Sequence, residues 1–137
     1  MIILDTNVVS EAMKPQPNIK VLAWLDSQPA ETLYLTAITV AELLFGLAVL
    51  PDGNRKEQLT NAINEIIGMF QNRVLPFDTS AARCYATLAA SARQKGRGFP
   101  TPDGYIAAIA TEYGYVVASR DTAPFEAVGL KIVNPWL

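Results

Sequence analysis

Met1-Ile-Ile-Leu-Asp-Thr-Asn-Val-Val-Ser10 is the stretch from which the rest of the chain can be read. Ile2, Ile3 and Leu4 form an apolar run too short for a helix and β-branched enough for a strand buried on both faces. The run stops at Asp5, and Thr6 and Asn7 follow as ready helix N-caps. In an open parallel sheet, ligands bind just outside the carboxyl ends of the strands. Asp5 therefore stands either where chemistry is done or as a simple cap for the next helix, and these ten residues leave both open.

Outward from this stretch, strand and helix signals alternate. A helix runs from about Asn7 until Lys14-Pro15 stops it, and Pro17-Asn18 starts a second, with Val21, Leu22 and Leu25 as its stripe and Trp24 beside them. Gln28-Pro29 ends that helix. Leu33-Tyr34-Leu35 reads as a second strand, and Thr36-Ala37-Ile38-Thr39 as a turn into a third helix that reaches about Leu50. Leu43, Leu44, Phe45, Leu47, Val49 and Leu50 make this helix apolar nearly all round, so it is either wholly buried or half of an interface. After the turn Pro51-Asp52-Gly53, a helix covers Asn54 to Met69, and Val74-Leu75-Pro76-Phe77 is a third strand. Asp78-Thr79-Ser80 caps an alanine-rich helix that ends at Arg93-Gln94-Lys95, with Gly96 as its stop and Cys84 expected as a small buried residue within it. Thr101 at N-cap and Pro102 at N1 open a helix that Gly114 closes. Tyr115 to Ala118 is the fourth strand, Ser119-Arg120-Asp121 its exit loop, and Lys131-Ile132-Val133 a fifth. Strands separated by helices, with no hairpin turn, predict one α/β domain over residues 1–137, with a parallel sheet of about five strands and helices on both faces.

Half of the residues are hydrophobic and 18% are charged, the balance of a globular chain. The formal charge of −2 argues against a generic nucleic-acid-coating surface while allowing a local basic rim. No apolar stretch approaches a membrane span, no signal peptide is evident, and the lone Cys84 rules out an internal disulfide, so a cytoplasmic location is expected. The chain has no histidine. That removes histidine-based nucleophilic and acid–base catalysis and nearly every zinc site, leaving carboxylates, Lys, Tyr or Ser to do any chemistry.

Four acids share comparable addresses. Asp5 follows the first strand, Glu42 lies early in the helix after the second, and Asp121 leaves the fourth. Asp103 begins the helix before the fourth strand; that helix runs antiparallel to the strands, so its start points to the same side. Each acid also has a local role that needs no ligand: Glu42 in a capping box with Thr39, Asp103 favouring the helix dipole, Asp121 closing an Asx-turn. Together they predict a convergent acidic patch, whose mutual repulsion a hard divalent ion such as Mg²⁺ or Mn²⁺ would neutralise. Such an ion can activate water and stabilise charge on a phosphate.

Asp5-Thr6-Asn7, Thr39-Val40-Ala41-Glu42-Leu43, Pro102-Asp103-Gly104-Tyr105-Ile106-Ala107-Ala108 and Ser119-Arg120-Asp121 before Asn134-Pro135-Trp136 resemble a PIN-domain protein over the whole chain. The nearest likeness is to the VapC/FitB-type toxins of bacterial toxin–antitoxin pairs. The resemblance implies a three-layer α/β/α PIN-like fold and a Mg²⁺- or Mn²⁺-dependent endoribonuclease with Asp5, Glu42, Asp103 and Asp121 as metal ligands and catalytic acids. It also implies that Thr6 and Ser119 orient ligands or the attacking water, with Asn7 supporting Asp5. One departure stands out: many similar chains carry a further acid before the position of Phe125, and here that place is Pro124.

Arg93, Lys95 and Arg97 precede Asp103, and Arg120 precedes Asp121; Arg97 and Arg120 are candidate RNA phosphate contacts, whereas cations at a helix end also explain Arg93 and Lys95. Phe99 and Tyr105 suit base stacking or core packing equally. Pro135-Trp136 is expected to pack on the domain. A haloacid-dehalogenase-type phosphatase would need a second Asp two residues after Asp5, where Asn7 stands, and a receiver-type phospho-acceptor would need paired acids ahead of a central acceptor Asp. The remaining rival is a PIN-like module that binds RNA or protein without cutting. Implied partners are RNA, a second copy of the chain and an inhibitory antitoxin, with DNA contacted only through that antitoxin.

Overall fold

The computed structural model describes Met1–Leu137 and runs β1 (Ile2–Leu4), α1 (Thr6–Ala12), α2 (Ile19–Ser27), β2 (Leu33–Thr36), α3 (Ala37–Ala48), α4 (Asn54–Met69), β3 (Val74–Leu75), α5 (Thr79–Gln94), α6 (Thr101–Tyr113), β4 (Val116–Ala118), α7 (Ala123–Glu126) and β5 (Ile132–Val133). The strands form one parallel sheet in the order β3-β2-β1-β4-β5. From the central β1 the chain winds to one edge through β2 and β3, then returns to β4 and β5 on the other side. The winding direction therefore reverses between β1 and β4, and such a switch point opens a crevice at the carboxyl ends of the strands.

Alternation along the strands builds the two outer layers. Leu4, Leu33, Leu35 and Ala118 face one side, where Val8 and Val9 of α1, Val21 of α2, Leu43 of α3 and Ile63 of α4 complete one core. Ile3 and Val117 face the other side, against Ala81 of α5, Ile106, Ile109 and Ala110 of α6, and Phe125. With helices on both faces of a parallel sheet, the three-layer α/β/α expectation is met. Trp136 packs on the first core, as anticipated for the C-terminal segment.

The differences from the sequence reading are local. Asp5, rather than Thr6 or Asn7, caps α1, its Oδ1 accepting from the Thr6 amide at 2.8 Å. Helix α3 begins at Ala37 with Thr36 as its cap, so Thr39 and Glu42 form no capping box; Glu42 lies in the second turn. Pro100 caps α6 and Thr101 is its first helical residue, because Pro102 tolerates either of the first two positions, where no intrahelical N–H bond is required. β3 stops at Leu75, since Pro76 has no amide to continue the ladder. Cys84 is half-buried rather than buried. The single turn of α7, containing Pro124 and Phe125, is too short to show a period in the sequence.

The helix that reads as apolar all round is two-faced. Leu43 is buried and Leu47 half-buried in the chain's own core, while Phe45 and Val49 point outward with 69% and 63% of their surface exposed.

Candidate active site

β1 delivers Asp5 to the switch point. The Asp5 amide still pairs with the Ala118 carbonyl at 2.9 Å, so the side chain emerges where the β1–β4 ladder ends. Its surroundings leave the carboxylate 4% exposed. A buried charge needs donors, and three converge on it: the Thr6 amide on Oδ1, and the Ser119 hydroxyl at 2.7 Å and the Asn7 amide nitrogen at 3.4 Å on Oδ2. Asn7 also donates to Ser119 Oγ at 3.2 Å and accepts from the Arg120 amide at 3.3 Å, which ties α1 to the loop after β4. Ser119 Oγ in turn accepts from the Asp121 amide at 3.1 Å, so the turn here is closed by the serine hydroxyl and not by an Asx-turn of Asp121.

Glu42 reaches the same place from α3. Thr6 Oγ donates to Glu42 Oε1 at 2.7 Å, joining the start of α1 to the second turn of α3. Thr39, one turn before Glu42 and fully buried, stands 3.1 Å from the same Thr6 hydroxyl. The sequence reading missed Thr39 as part of this network. Its signal was the Thr-x-x-Glu spacing, which puts both side chains on one helix face but was read as a cap.

Asp103 in the first turn of α6 and Asp121 after β4 complete the set. The Asp103 carboxyl is pushed up to about 6, first by burial and then by the charges of Asp5, Asp121 and Glu42. Burial likewise raises Asp5, as do Glu42 and Asp121, while the bonds from Ser119 and Thr6 act in the opposite sense. Asp103 thus feels the other three acids, and Asp5 feels Glu42 and Asp121. The chain's own ion pairs, Lys14–Glu11 and Lys56–Asp52, neutralise none of them.

The donors are all oxygens, which suits a hard cation such as Mg²⁺ or Mn²⁺. Asp5, Glu42, Asp103 and Asp121 could hold it. As they stand, no three of these carboxylates are grouped closely enough to hold an ion. The uncompensated charge and the donor chemistry fit a divalent ion.

Around the rim, Arg97 and Asp121 line one open cleft together with Pro124. Arg120 is exposed, with its guanidinium 5.1 Å from the centre of the Trp136 ring. Phe99 is half-buried and packs against Gly104, and Tyr105 stacks with Phe77 and Tyr85, so both aromatics have packing roles. Glu11 was not foreseen: nearly buried at the end of α1, it accepts from Lys14 and from the Asn18 amide, closing the α1–α2 connection, and these bonds lower its pKa.

Residues 2–131 match the PIN domain family. The chain is a PIN-domain protein. The resemblance read from its motifs is thereby borne out. It is 55% identical over 137 residues to the VapC ribonuclease Y4jK of Sinorhizobium fredii, covering 99% of this chain and 98% of that protein. It is 47% identical to the toxin FitB of Neisseria gonorrhoeae, covering 99% of each. Among solved structures, FitAB bound to an IR36 DNA fragment superimposes with a TM-score of 0.96 at 46% identity, covering 100% of this chain and 96% of that one. Its structural neighbours are VapBC and FitAB toxin–antitoxin complexes. No helix of this PIN domain is long and apolar enough to cross a membrane.

Proposed function

We propose that this PIN-domain protein is the toxin of a toxin–antitoxin pair and a Mg²⁺- or Mn²⁺-dependent endoribonuclease. The observation that carries the proposal is Asp5 at the β1/β4 switch point with Glu42, Asp103 and Asp121 bearing electrostatically on it. A divalent cation held by these carboxylates supplies Lewis-acid polarisation of a phosphate and a water of lowered pKa. The chain's residues do the positioning. Ser119 and Asn7 hold Asp5, Thr6 holds Glu42, and Arg97, which lines a cleft with Asp121, would meet flanking phosphates, with Arg120 as the second such contact. Contacts of that kind give affinity without sequence choice.

The exposed apolar surface supports one of the partners of this reading. Leu44, Phe45 and Val49 form an outward apolar strip on α3, which a second copy of the chain would cover as a homodimer. An inhibitory antitoxin segment would lie across the acidic patch and offer it a basic residue, and DNA would be reached only through that antitoxin.

Incubation of the purified protein with labelled RNA, with Mg²⁺ or Mn²⁺ and with chelator, tests the activity. Cleavage that needs metal and leaves 5′-phosphate and 3′-hydroxyl ends is expected, because water is the nucleophile. Products with 2′,3′-cyclic phosphate that form in chelator would overturn the mechanism. Metal-independent RNA binding without any cleavage would instead favour a non-cutting PIN-like module, the reading that the open spacing of the carboxylates would suit.

A further inference from the structure

We infer that Thr39 is a positioning residue for Glu42, acting through the hydroxyl of Thr6; this rests on the metallonuclease reading above. The argument is a proton count. Thr6 Oγ lies 2.7 Å from Glu42 Oε1 and 3.1 Å from Thr39 Oγ. A hydroxyl has one proton to donate, and a carboxylate accepts only. The Thr6 proton therefore goes to Glu42, so the contact with Thr39 is made by the Thr39 proton, donated to Thr6. The relay runs Thr39 to Thr6 to Glu42, each donor oriented by the bond it accepts.

Thr39 is built for that task. It is fully buried, and Thr6 is the one hydrogen-bond partner of its hydroxyl. A helical threonine commonly returns its hydroxyl to a carbonyl of the preceding turn; Thr39 does not. Its backbone is held independently, since its amide donates to the capping hydroxyl of Thr36 at 3.2 Å. The side chain is thus free to serve the contact between α1 and α3 while the branched methyl fills the core. Glu42 has three rotatable bonds and is only half-buried, so without this relay its carboxylate has no fixed orientation towards Asp5 and Asp103. Holding Oε1 leaves Oε2 for the acidic centre. Groups that orient metal ligands in this way change metal affinity by about 10- to 100-fold when removed.

Thr39→Val keeps the shape and deletes the proton, and Thr39→Ser keeps the proton. Calorimetric titration of each protein with Mn²⁺, alongside the melting temperature without metal and the kcat and KM for RNA, forms the test. The expected result is a Mn²⁺ dissociation constant raised about tenfold in Thr39→Val, with kcat lowered and KM for RNA unmoved, and recovery in Thr39→Ser. In a Thr6→Val background, Thr39→Val should produce no further change in Mn²⁺ affinity, because the relay is already cut. Wild-type Mn²⁺ affinity in Thr39→Val, with or without a lowered melting temperature, would overturn the inference and leave the nuclease reading intact. A second full loss in the Thr6→Val background would also overturn it. A wild-type protein that neither binds Mn²⁺ nor cleaves RNA would overturn the nuclease reading and the inference with it.

Discussion

Ser119 donates a 2.7 Å hydrogen bond to Asp5 across 114 positions of sequence, with the serine fully buried and the aspartate nearly so. The bond holds the end of β1 to the end of β4 at the point where the sheet changes direction, and it acts to lower the Asp5 pKa against the effect of burial. Ser119→Ala removes the donor and leaves a buried carboxylate oxygen short of a partner. The expected loss is about 1–3 kcal/mol at neutral pH. Chemical denaturation should show a lowered midpoint at an unchanged slope; an unshifted midpoint would mean that the bond contributes nothing net to the fold.

Asp103 predicts a pH dependence with a defined sign. Its folded pKa of about 6 lies above the ordinary value of 3.8, so between these values the folded state binds more protons than the unfolded one. Stability of the metal-free protein should therefore fall as pH rises from about 4 to about 6, and level off above. The carboxyl is partly solvated, and screening reduces its contribution to about 1 kcal/mol. The slope is to be read as the difference between wild type and Asp103→Asn, which lacks this titration.

At pH 7 the same variant should be more stable than wild type without metal, by about 0.5–2 kcal/mol, because one of four mutually repelling charges is gone. Added Mn²⁺ should reverse the order, since binding to the folded state stabilises in proportion to affinity. If Asp103 served only the helix dipole, Asp103→Asn would lose about 0.3–1 kcal/mol and keep the full metal-induced shift. Thermal melts of both proteins with and without Mn²⁺ separate the cases.

Gly104 is expected to tolerate no side chain. A Cβ there would run into Phe99 Cε2 and meet Tyr85 Cε1 at 2.8 Å, next in sequence to Asp103. Gly104→Ala should cost about 1–3 kcal/mol by overpacking, and Phe99→Leu in the same chain should recover part of it. Failure of the second change to help would place the conflict elsewhere.

The outward strip of α3 predicts association. Sedimentation at micromolar concentration should show a dimer for the wild type and a monomer with unchanged secondary structure for Phe45→Glu, since Phe45 is 69% exposed in the single chain. A monomeric wild type would refute the homodimer.

The order of the elements was legible because its signals are local. The apolar run Ile2–Leu4, the stop at Gly114 and the alternation of strand with helix each need only a few neighbouring residues. The direction of α6 followed from the same logic, and with it the side of the sheet on which Asp103 belongs. Element ends were less legible: Pro100 holds the cap position that the sequence reading assigned to Thr101, the cap of α1 was left open among Asp5, Thr6 and Asn7, and a cap depends on one residue's backbone angles.

The sequence by itself determined a parallel α/β domain with Asp5, Glu42, Asp103 and Asp121 on the strand-exit side, because hydrophobic period and chain direction are set within each segment. Only the tertiary structure decided that β1 and β4 flank the switch point, that Thr39 reaches Thr6, and that Ser119 gives its proton to Asp5. A hydrogen bond between residues 33 or 114 positions apart depends on separations of a few tenths of an ångström. Packing of the two cores against the sheet sets those separations, and no local pattern in the chain encodes them.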